Sequence, residues 1–232
     1  MQPNKETTKV RVCLDAKSKY RNVSLNDALL KGKLEMPDIM QIITRFRVGK
    51  VAMIGDIQKM FWQIRLHPDD QQYHGVIWKG KSFVFTRVSF GGKPSPPIAD
   101  ESMIKIAHEG KTDYPLAADA ILDNRYMDDI AKGSDNPETM EHMKNELDLL
   151  LGDFGFKIKR WISNTTKNVK DTAILGCKWD LERDTISPSL PEIEFKGFCK
   201  RNVLSRIAEI WDPLGFCTGV MISARLIFQS IG

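Results

Sequence analysis

The sequence predicts an α+β fold, an antiparallel sheet with helices on one face in a split βαβ order. Three observations predict it. Residues 51–56, Val-Ala-Met-Ile-Gly-Asp, are apolar until the last, the pattern of a strand buried on both sides in mid-sheet. Residues 137–154 carry Met140, Met143, Leu147, Leu150 and Leu151 at helical spacing, the clearest amphipathic helix in the chain. From Val51 the order is strand, helix, hairpin, helix, acid-tipped hairpin, helix, strand. Helices packed on one face would leave the other face open.

The chain has 232 residues, 42% hydrophobic and 28% charged, with a net charge of +4. That is enough for one large domain or two small ones with a real core. The mild basic balance suits a polyanionic partner without requiring one. Cys13, Cys177, Cys199 and Cys217 form no Cys-x-x-Cys pair and read as reduced thiols of an intracellular protein. No apolar run reaches about 18 residues, so no membrane span is expected. The polar N-terminus lacks a signal-peptide core.

Taken in order, residues 10–14 read as a strand and 15–22 as a basic loop. Ser24 caps a short helix, with Asp27 at the capping-box position. Pro37-Asp38 opens a second helix whose apolar face is Ile39, Ile42, Ile43 and Phe46. The strand from Val51 ends in Asp56, which either caps the helical turn of residues 58–63 or binds a ligand. His67-Pro68-Asp69-Asp70 starts another helix, and His67, lacking a partner at motif spacing, reads as structural. Residues 73–78 and 82–87 alternate as a hairpin turned at Lys79-Gly80-Lys81. Phe90-Gly91-Gly92-Lys93 leads into a helix over 97–108. Such a loop can receive phosphate, but it lacks the P-loop ending, and an ordinary connector has the same composition. Residues 113–123 form a further helical piece. A strand follows over 156–162, with Lys157, Lys159 and Arg160. Residues 173–179 and 184–187 form a hairpin turned at Glu182-Arg183. Residues 188–199 are irregular and mark the candidate boundary. Helices over 201–211 and 217–230 finish the chain.

Tyr126-Met127-Asp128-Asp129 lies where two short strands meet at a tight turn, with both carboxylates at the tip. Alone, such a pair is commonly a solvated turn. Asp56 on a neighbouring central strand makes three carboxylates, too much charge to leave bare. Oxygen donors select hard cations, Mg2+ in particular, shared with phosphate oxygens. Two such ions about 4 Å apart activate an attacking oxygen and stabilise a leaving one. Nucleotidyl transfer is the natural reaction, and no Ser, Cys or His nucleophile constellation competes with it.

Tyr126-Met127-Asp128-Asp129 resembles the Tyr-x-Asp-Asp motif of reverse transcriptases, and Asp56-Ile57-Gln58-Lys59-Met60-Phe61 resembles the preceding palm motif. Residues 20–27, 86–91, 159–164, 175–180 and 210–215 together resemble the BEL/Pao class of LTR retrotransposon Pol polyproteins. The resemblance implies a right-hand polymerase palm, ferredoxin-like, with partial fingers and the start of a thumb. The fingers would be 1–50, the palm 51–187 with a fingers insertion over 64–95, and the thumb or connection 188–232. It implies RNA-directed DNA polymerase activity, with Mg2+ (two ions, Mn2+ as substitute) held by Asp56, Asp128 and Asp129 and assisted by the Ile57 carbonyl. Arg11 would contact the incoming triphosphate. Phe61 would reject a ribose 2′-OH, although a core aromatic is the plain alternative. Gly91, Gly92 and Lys93 would shape the nucleotide pocket, beside Phe90 where retroviral enzymes carry Gln. Lys159 or Arg160 would protonate pyrophosphate, and Leu175-Gly176-Cys177 would grip the primer.

The implied partners are an RNA or DNA template with primer, dNTPs and other parts of the Pol polyprotein, with no membrane. The implied location is the cytoplasm, in a virus-like particle, or the nucleus. There are departures. The fingers sequence before Arg11 is missing, the thumb stops at Gly232, and no RNase H or integrase region is recognised, so a fragment or degraded copy is expected. Two alternatives stay open: a catalytically incompetent relic that keeps the palm, and an aspartic peptidase built on Asp171-Thr172-Ala173.

Overall fold

The computed structural model describes residues 12–189 and 199–230. The N-terminal part contains β1 (Lys19–Tyr20), β2 (Val23–Ser24), α1 (Leu25–Ala28) and α2 (Ile39–Arg47). Then come β3 (Val51–Ile57), α3 (Met60–Gln63), α4 (Pro68–Gln71), β4 (Gly75–Trp78) and β5 (Lys81–Val84). The middle holds α5 (Ser95–Gly110), α6 (Pro115–Asp123), β6 (Arg125–Tyr126), β7 (Asp129–Ser134) and α7 (Pro137–Asp153). It closes with β8 (Ile158–Ser163), β9 (Asp171–Ile174), β10 (Cys177–Asp180), β11 (Thr185–Pro188), α8 (Lys200–Glu209) and α9 (Thr218–Ser230).

Local signals explain most boundaries. The Ser24 and Asp27 side chains exchange capping-box hydrogen bonds with each other's backbone N–H. Asp38 accepts from the Met40 N–H to start α2, and Asn136 accepts from Glu138 and Thr139 to start α7 just before Pro137. The buried Glu146 of α7 accepts from the N–H groups of Leu116 and Ala117 at 2.8 and 3.0 Å, so α7 caps the start of the preceding helix, α6. His67 accepts from the Asp69 N–H and is the N-cap of α4, as its structural reading required. Lys79 and Gly80 both have positive φ, 50° and 73°, the two-residue turn that matches strand twist in the β4–β5 hairpin.

The central sheet has the order β6-β7-β3-β8, antiparallel throughout, with β3 in the interior. Its period-two pattern sorts side chains between two cores. Val51, Met53 and Ile57 join Ile130 and Ile158 beneath α5, α6 and α7. Ala52 and Ile54 join Ala131 and Ile162 on the opposite face, against Ile42, Ile43 and Phe46 of α2 and against Cys177 and Trp179 of β10. Each such large side chain, wholly buried, contributes about 1.5–3 kcal/mol. Phe46 and Trp179 meet edge to face at 4.7 Å. Gly133 admits α2 closely, since a Cβ there would sit 2.4 Å from the Phe46 carbonyl oxygen.

The expected open face is therefore corrected: α2 and the β9–β11 sheet cover it in part. The expected hairpin over 173–187 is also corrected, because three strands run in the order β11-β10-β9. Leu175 and Gly176, at φ 47° and 83°, turn the chain inside the stretch that alternation had read as one strand. Within 10–14, the described residues form no strand; Cys13 makes an isolated parallel bridge to Phe90. No helix among the described residues is long and apolar enough to cross a membrane.

Candidate active site

β3 brings Asp56 to its exposed end, on the face shared with Ala52 and Ile54. The N-cap position of α3 is Lys59, three residues beyond Asp56. In the β3–β7 ladder Asp56 is registered directly against Asp129. Asp128 occupies the turn between Tyr126 and Asp129, which pair with each other, and Met127 takes the left-handed φ of 53°. The tip of the hairpin is thus Met127-Asp128, and Asp129 is the first residue of β7. Ile57, wholly buried, donates its N–H to the Asp128 carbonyl at 2.7 Å and ties the turn to the end of β3.

On the other side of β3 the ladder slips. Between the pairs Gly55↔Trp161 and Ile57↔Ile158, the single residue Asp56 lies opposite two residues of β8, Lys159 and Arg160. A bulge of this kind bends a strand and re-aims its side chains. Both bases are exposed. The structure thus brings Asp56, Asp128, Asp129, Lys159 and Arg160 to one end of the sheet.

The aromatic neighbours come together as well. Phe61 packs partly on the helical core, and its ring meets Phe90 edge to face at 4.8 Å, with Trp62 6.1 Å from Phe90. Gly91 has φ 103°, and a Cβ there would fall 2.0 Å from the Leu14 carbonyl oxygen. Its freedom admits the chain's own backbone, to which it is further tied by the Asn26 side chain at 3.1 Å. A Cβ on Gly92 would lie 2.8 Å from the Ser95 hydroxyl oxygen. The Lys93 ammonium donates to the carbonyls of Asn26 and Leu29 at 2.9 and 3.0 Å, closing the end of α1.

Leu175-Gly176-Cys177 forms the β9–β10 turn. Trp211 covers it, donating its indole N–H to the Leu175 carbonyl at 3.0 Å. Burial, with the Asp212 charge, pushes the Cys177 thiol up from its ordinary value. Leu175 and Cys177 share a core cluster with Tyr126 and Ile54, just beneath the acids. Asp171 begins β9 and is exposed, paired with Lys178 at 2.9 Å. Arg11 lies outside the described residues.

Sequence reasoning missed Asp100 and Arg125, which are both about 1% exposed and paired at 2.5 Å. The signal was present as Asp100 among Ile98, Ala99 and Met103 in a buried helix, and as Arg125 in a short strand. Burial holds the Arg125 guanidinium below its ordinary value, against the hydrogen bond and charge of Asp100.

Among the described residues, no three His, Cys, Asp or Glu side chains are gathered as a ready metal cage. The donors still fit a hard cation. All are carboxylates, and ions of the Mg2+ class are bound by one or two carboxylates completed by water and substrate phosphates.

Residues 2–178 match the family model described as reverse transcriptase (RNA-dependent DNA polymerase). Residues 199–232 match the one described as Pao retrotransposon-like RNaseH-like domain. The chain is 26% identical over 152 residues to the genome polyprotein of Petunia vein clearing virus (isolate Shepherd), covering 66% of this chain and 6% of the polyprotein. It is 27% identical over 154 residues to the uncharacterized protein K02A2.6 of Caenorhabditis elegans, covering 66% of this chain and 11% of that protein. The chain thus spans a small part of these relatives. The foamy viral protease-reverse transcriptase dRH in complex with ds DNA shares the fold, with a TM-score of 0.68 at 15% identity, over 95% of this chain and 37% of that one. The foamy viral protease-reverse transcriptase in complex with RNA/DNA hybrid gives 0.60 at 14%, over 84% and 26%. The acid-tipped sheet is a polymerase palm, and the chain belongs to the reverse transcriptase (RNA-dependent DNA polymerase) family, of the Pao retrotransposon type.

Proposed function

We propose that this chain is the RNA-directed DNA polymerase core of a retrotransposon Pol polyprotein, extending a primer 3′-OH with dNTPs on an RNA or DNA template. The observation that carries the reading is the registered pair Asp56–Asp129 with Asp128 in the adjoining turn. As a family, reverse transcriptases use divalent metal ions. Asp56 and Asp128 would hold two Mg2+ ions, with Asp129 and the Ile57 carbonyl in support. When bound, such ions activate the attacking oxygen and neutralise charge on the leaving group.

The remaining roles fall to the chain's own residues. Phe61, braced by Phe90, presents a bulky edge that leaves no room for a 2′-OH. Lys159 or Arg160, across the bulge from Asp56, supplies positive charge and a proton to departing pyrophosphate. Leu175-Gly176-Cys177, stiffened by Trp211, steadies the primer strand. Arg11 and the loop Gly91-Gly92-Lys93 complete the nucleotide site, Lys93 by fixing α1 against the loop. The palm is residues 51–187 with the fingers insertion over 64–95, residues 1–50 belong to the fingers, and 188–232 begin the thumb or connection. The protein works in the cytoplasm, in a virus-like particle, or in the nucleus.

Primer extension on poly(rA)·oligo(dT) with Mg2+ tests the reading. Metal-dependent dTTP incorporation that is lost in Asp128→Asn supports it. A folded protein that incorporates none, at any Mg2+ or Mn2+ concentration, refutes it and leaves the incompetent relic as the better reading.

A further inference from the structure

The buried pair Asp100–Arg125 is placed to govern the acid turn. Arg125 immediately precedes Tyr126-Met127-Asp128-Asp129. One arm of its guanidinium donates to Asp100 at 2.5 Å, and another donates to the Met127 carbonyl at 3.2 Å. Asp100 is held in turn, since its second oxygen accepts the Glu35 N–H at 2.7 Å. Met36, the next residue, receives the Met127 N–H on its sulfur at 3.2 Å. Helix α5, the segment before α2 and the turn are therefore joined through two side chains that solvent does not reach.

The arrangement is not one that stability alone would select. A buried ion pair is commonly no better than apolar residues of the same volume. Here one donor, the Arg125 Nε, has no hydrogen-bond partner among the described residues, which adds a further desolvation cost. What an apolar pair could not do is hold a carbonyl. The peptide joining Met127 to Asp128 is planar, so fixing the Met127 oxygen fixes the plane that carries the Asp128 nitrogen. On the other side of the same residue, the Asp128 carbonyl is fixed by the Ile57 N–H at 2.7 Å. Asp128 hangs between two pinned peptides, one pinned by the ion pair and one by the strand that carries Asp56. The pinning matters because Met127 has a left-handed φ that a side chain disfavours, so the turn needs outside support to keep its shape.

We propose that Arg125 and Asp100 are positioning residues for the metal-binding acids: the forked guanidinium, oriented by Asp100, sets where the Asp128 carboxylate stands. The inference rests on the polymerase reading above. The fork is the operative feature, because a planar guanidinium serves Asp100 and the Met127 carbonyl together, whereas an ammonium is a point donor.

Arg125→Lys is accordingly the informative variant. It keeps the charge opposite Asp100 and gives up the second arm. In the full protein, its dissociation constant for Mn2+, measured by electron paramagnetic resonance without nucleotide, should rise about tenfold. Its kcat for dTTP addition should fall by a similar factor, with the KM for dTTP unchanged and the folded fraction matching wild type. Excess metal should recover part of the rate. Asp100→Asn, which keeps an acceptor for Arg125 but turns a donor or a weaker acceptor toward the Glu35 N–H, should show the same pattern to a smaller extent. Folded Arg125→Lys with wild-type Mn2+ affinity and wild-type kcat overturns the inference. If Arg125→Lys does not fold, Asp100→Asn decides by the same two readouts. The two readings fail separately. A wild-type protein that binds Mn2+ through Asp128 but extends no primer sinks the polymerase reading, and the Mn2+ titrations still judge the pair.

Discussion

Asp56 and Asp129 face each other as a registered pair across the β3–β7 ladder, at the end where β3 slips against β8. Like charges directly opposite on neighbouring strands destabilise a sheet. A divalent cation converts that repulsion into attraction. The melting midpoint should therefore rise with Mg2+, by the equivalent of about 2.7 kcal/mol at a hundredfold excess over the dissociation constant. Asp56→Asn should abolish most of that rise in a calorimetric titration. A midpoint equally Mg2+-sensitive in both proteins would mean that the ion binds elsewhere.

Asp128→Asn should lower primer extension by more than about a hundredfold, since it removes a ligand from ions that supply several kcal/mol of charge stabilisation. The Asp128 backbone, not its side chain, receives the Ile57 hydrogen bond. Circular dichroism and the urea midpoint should therefore stay at wild-type values.

Phe61→Ala should weaken discrimination against ribonucleotides. Its ring lies against Phe90 at 4.8 Å, so truncation opens space on the exposed side of the helical core. A lost steric contact of about 1–3 kcal/mol corresponds to roughly a 10- to 200-fold change in the rNTP-to-dNTP ratio of kcat/KM. An unchanged ratio would return Phe61 to the role of a core aromatic.

Gly91→Ala should destabilise the protein by about 1–3 kcal/mol, because its φ of 103° disfavours a side chain and the added carbon would strike the Leu14 carbonyl. Protease sensitivity should rise first near Leu14, ahead of global unfolding. Limited proteolysis with mass analysis reads this out.

The link between Arg47, Trp179 and Asp184 should show in acid. Burial alone would push the Asp184 carboxyl up, but hydrogen bonds from Arg47 and Trp179 and the Arg47 charge outweigh it and hold the group below its ordinary value of 3.8. A depressed carboxylate contributes stability that is complete above the unfolded value and is lost as pH falls through the folded one. Asp184→Asn should therefore remove part of the stability loss below about pH 4. Urea midpoints measured across that range test it.

Much of the fold was legible because apolar periodicity reports burial. α2, β3 and α7 follow from Ile42, Phe46, Met53 and Leu147 falling on single faces, and the capping box follows from Ser24 and Asp27. The acid turn was legible because Asp56 ends an apolar run and the adjacent acids Asp128 and Asp129 lie between Tyr126-Met127 and Ile130-Ala131. The rest required three-dimensional neighbours. Leu175 carries a left-handed φ that its type does not announce, so one apparent strand hid a turn. The second core was hidden because Trp179 and Phe46 lie far apart in sequence. The tie of Lys93 to the end of α1 was hidden because its carbonyl partners, Asn26 and Leu29, lie more than sixty residues earlier in the chain. Asp100 and Arg125 each looked like an ordinary charge, and only their burial together gives them meaning.

The bulge in β8 acts like an insertion in a reading frame. Ile158 and Trp161 both turn to the helical core although two residues lie between them, where simple alternation would put them on opposite faces, while Ile162 turns to the opposite layer. The strand changes phase at Lys159-Arg160, so one surplus residue lets both ends of β8 be greasy on the correct side and still leaves two bases beside Asp56. Deleting either base would restore simple alternation with Ile158 and Trp161 still on one side, and would leave a single base opposite Asp56. In this sheet the length of a strand encodes which side is inside, and the place where that count is broken is also the place where the acids meet their bases.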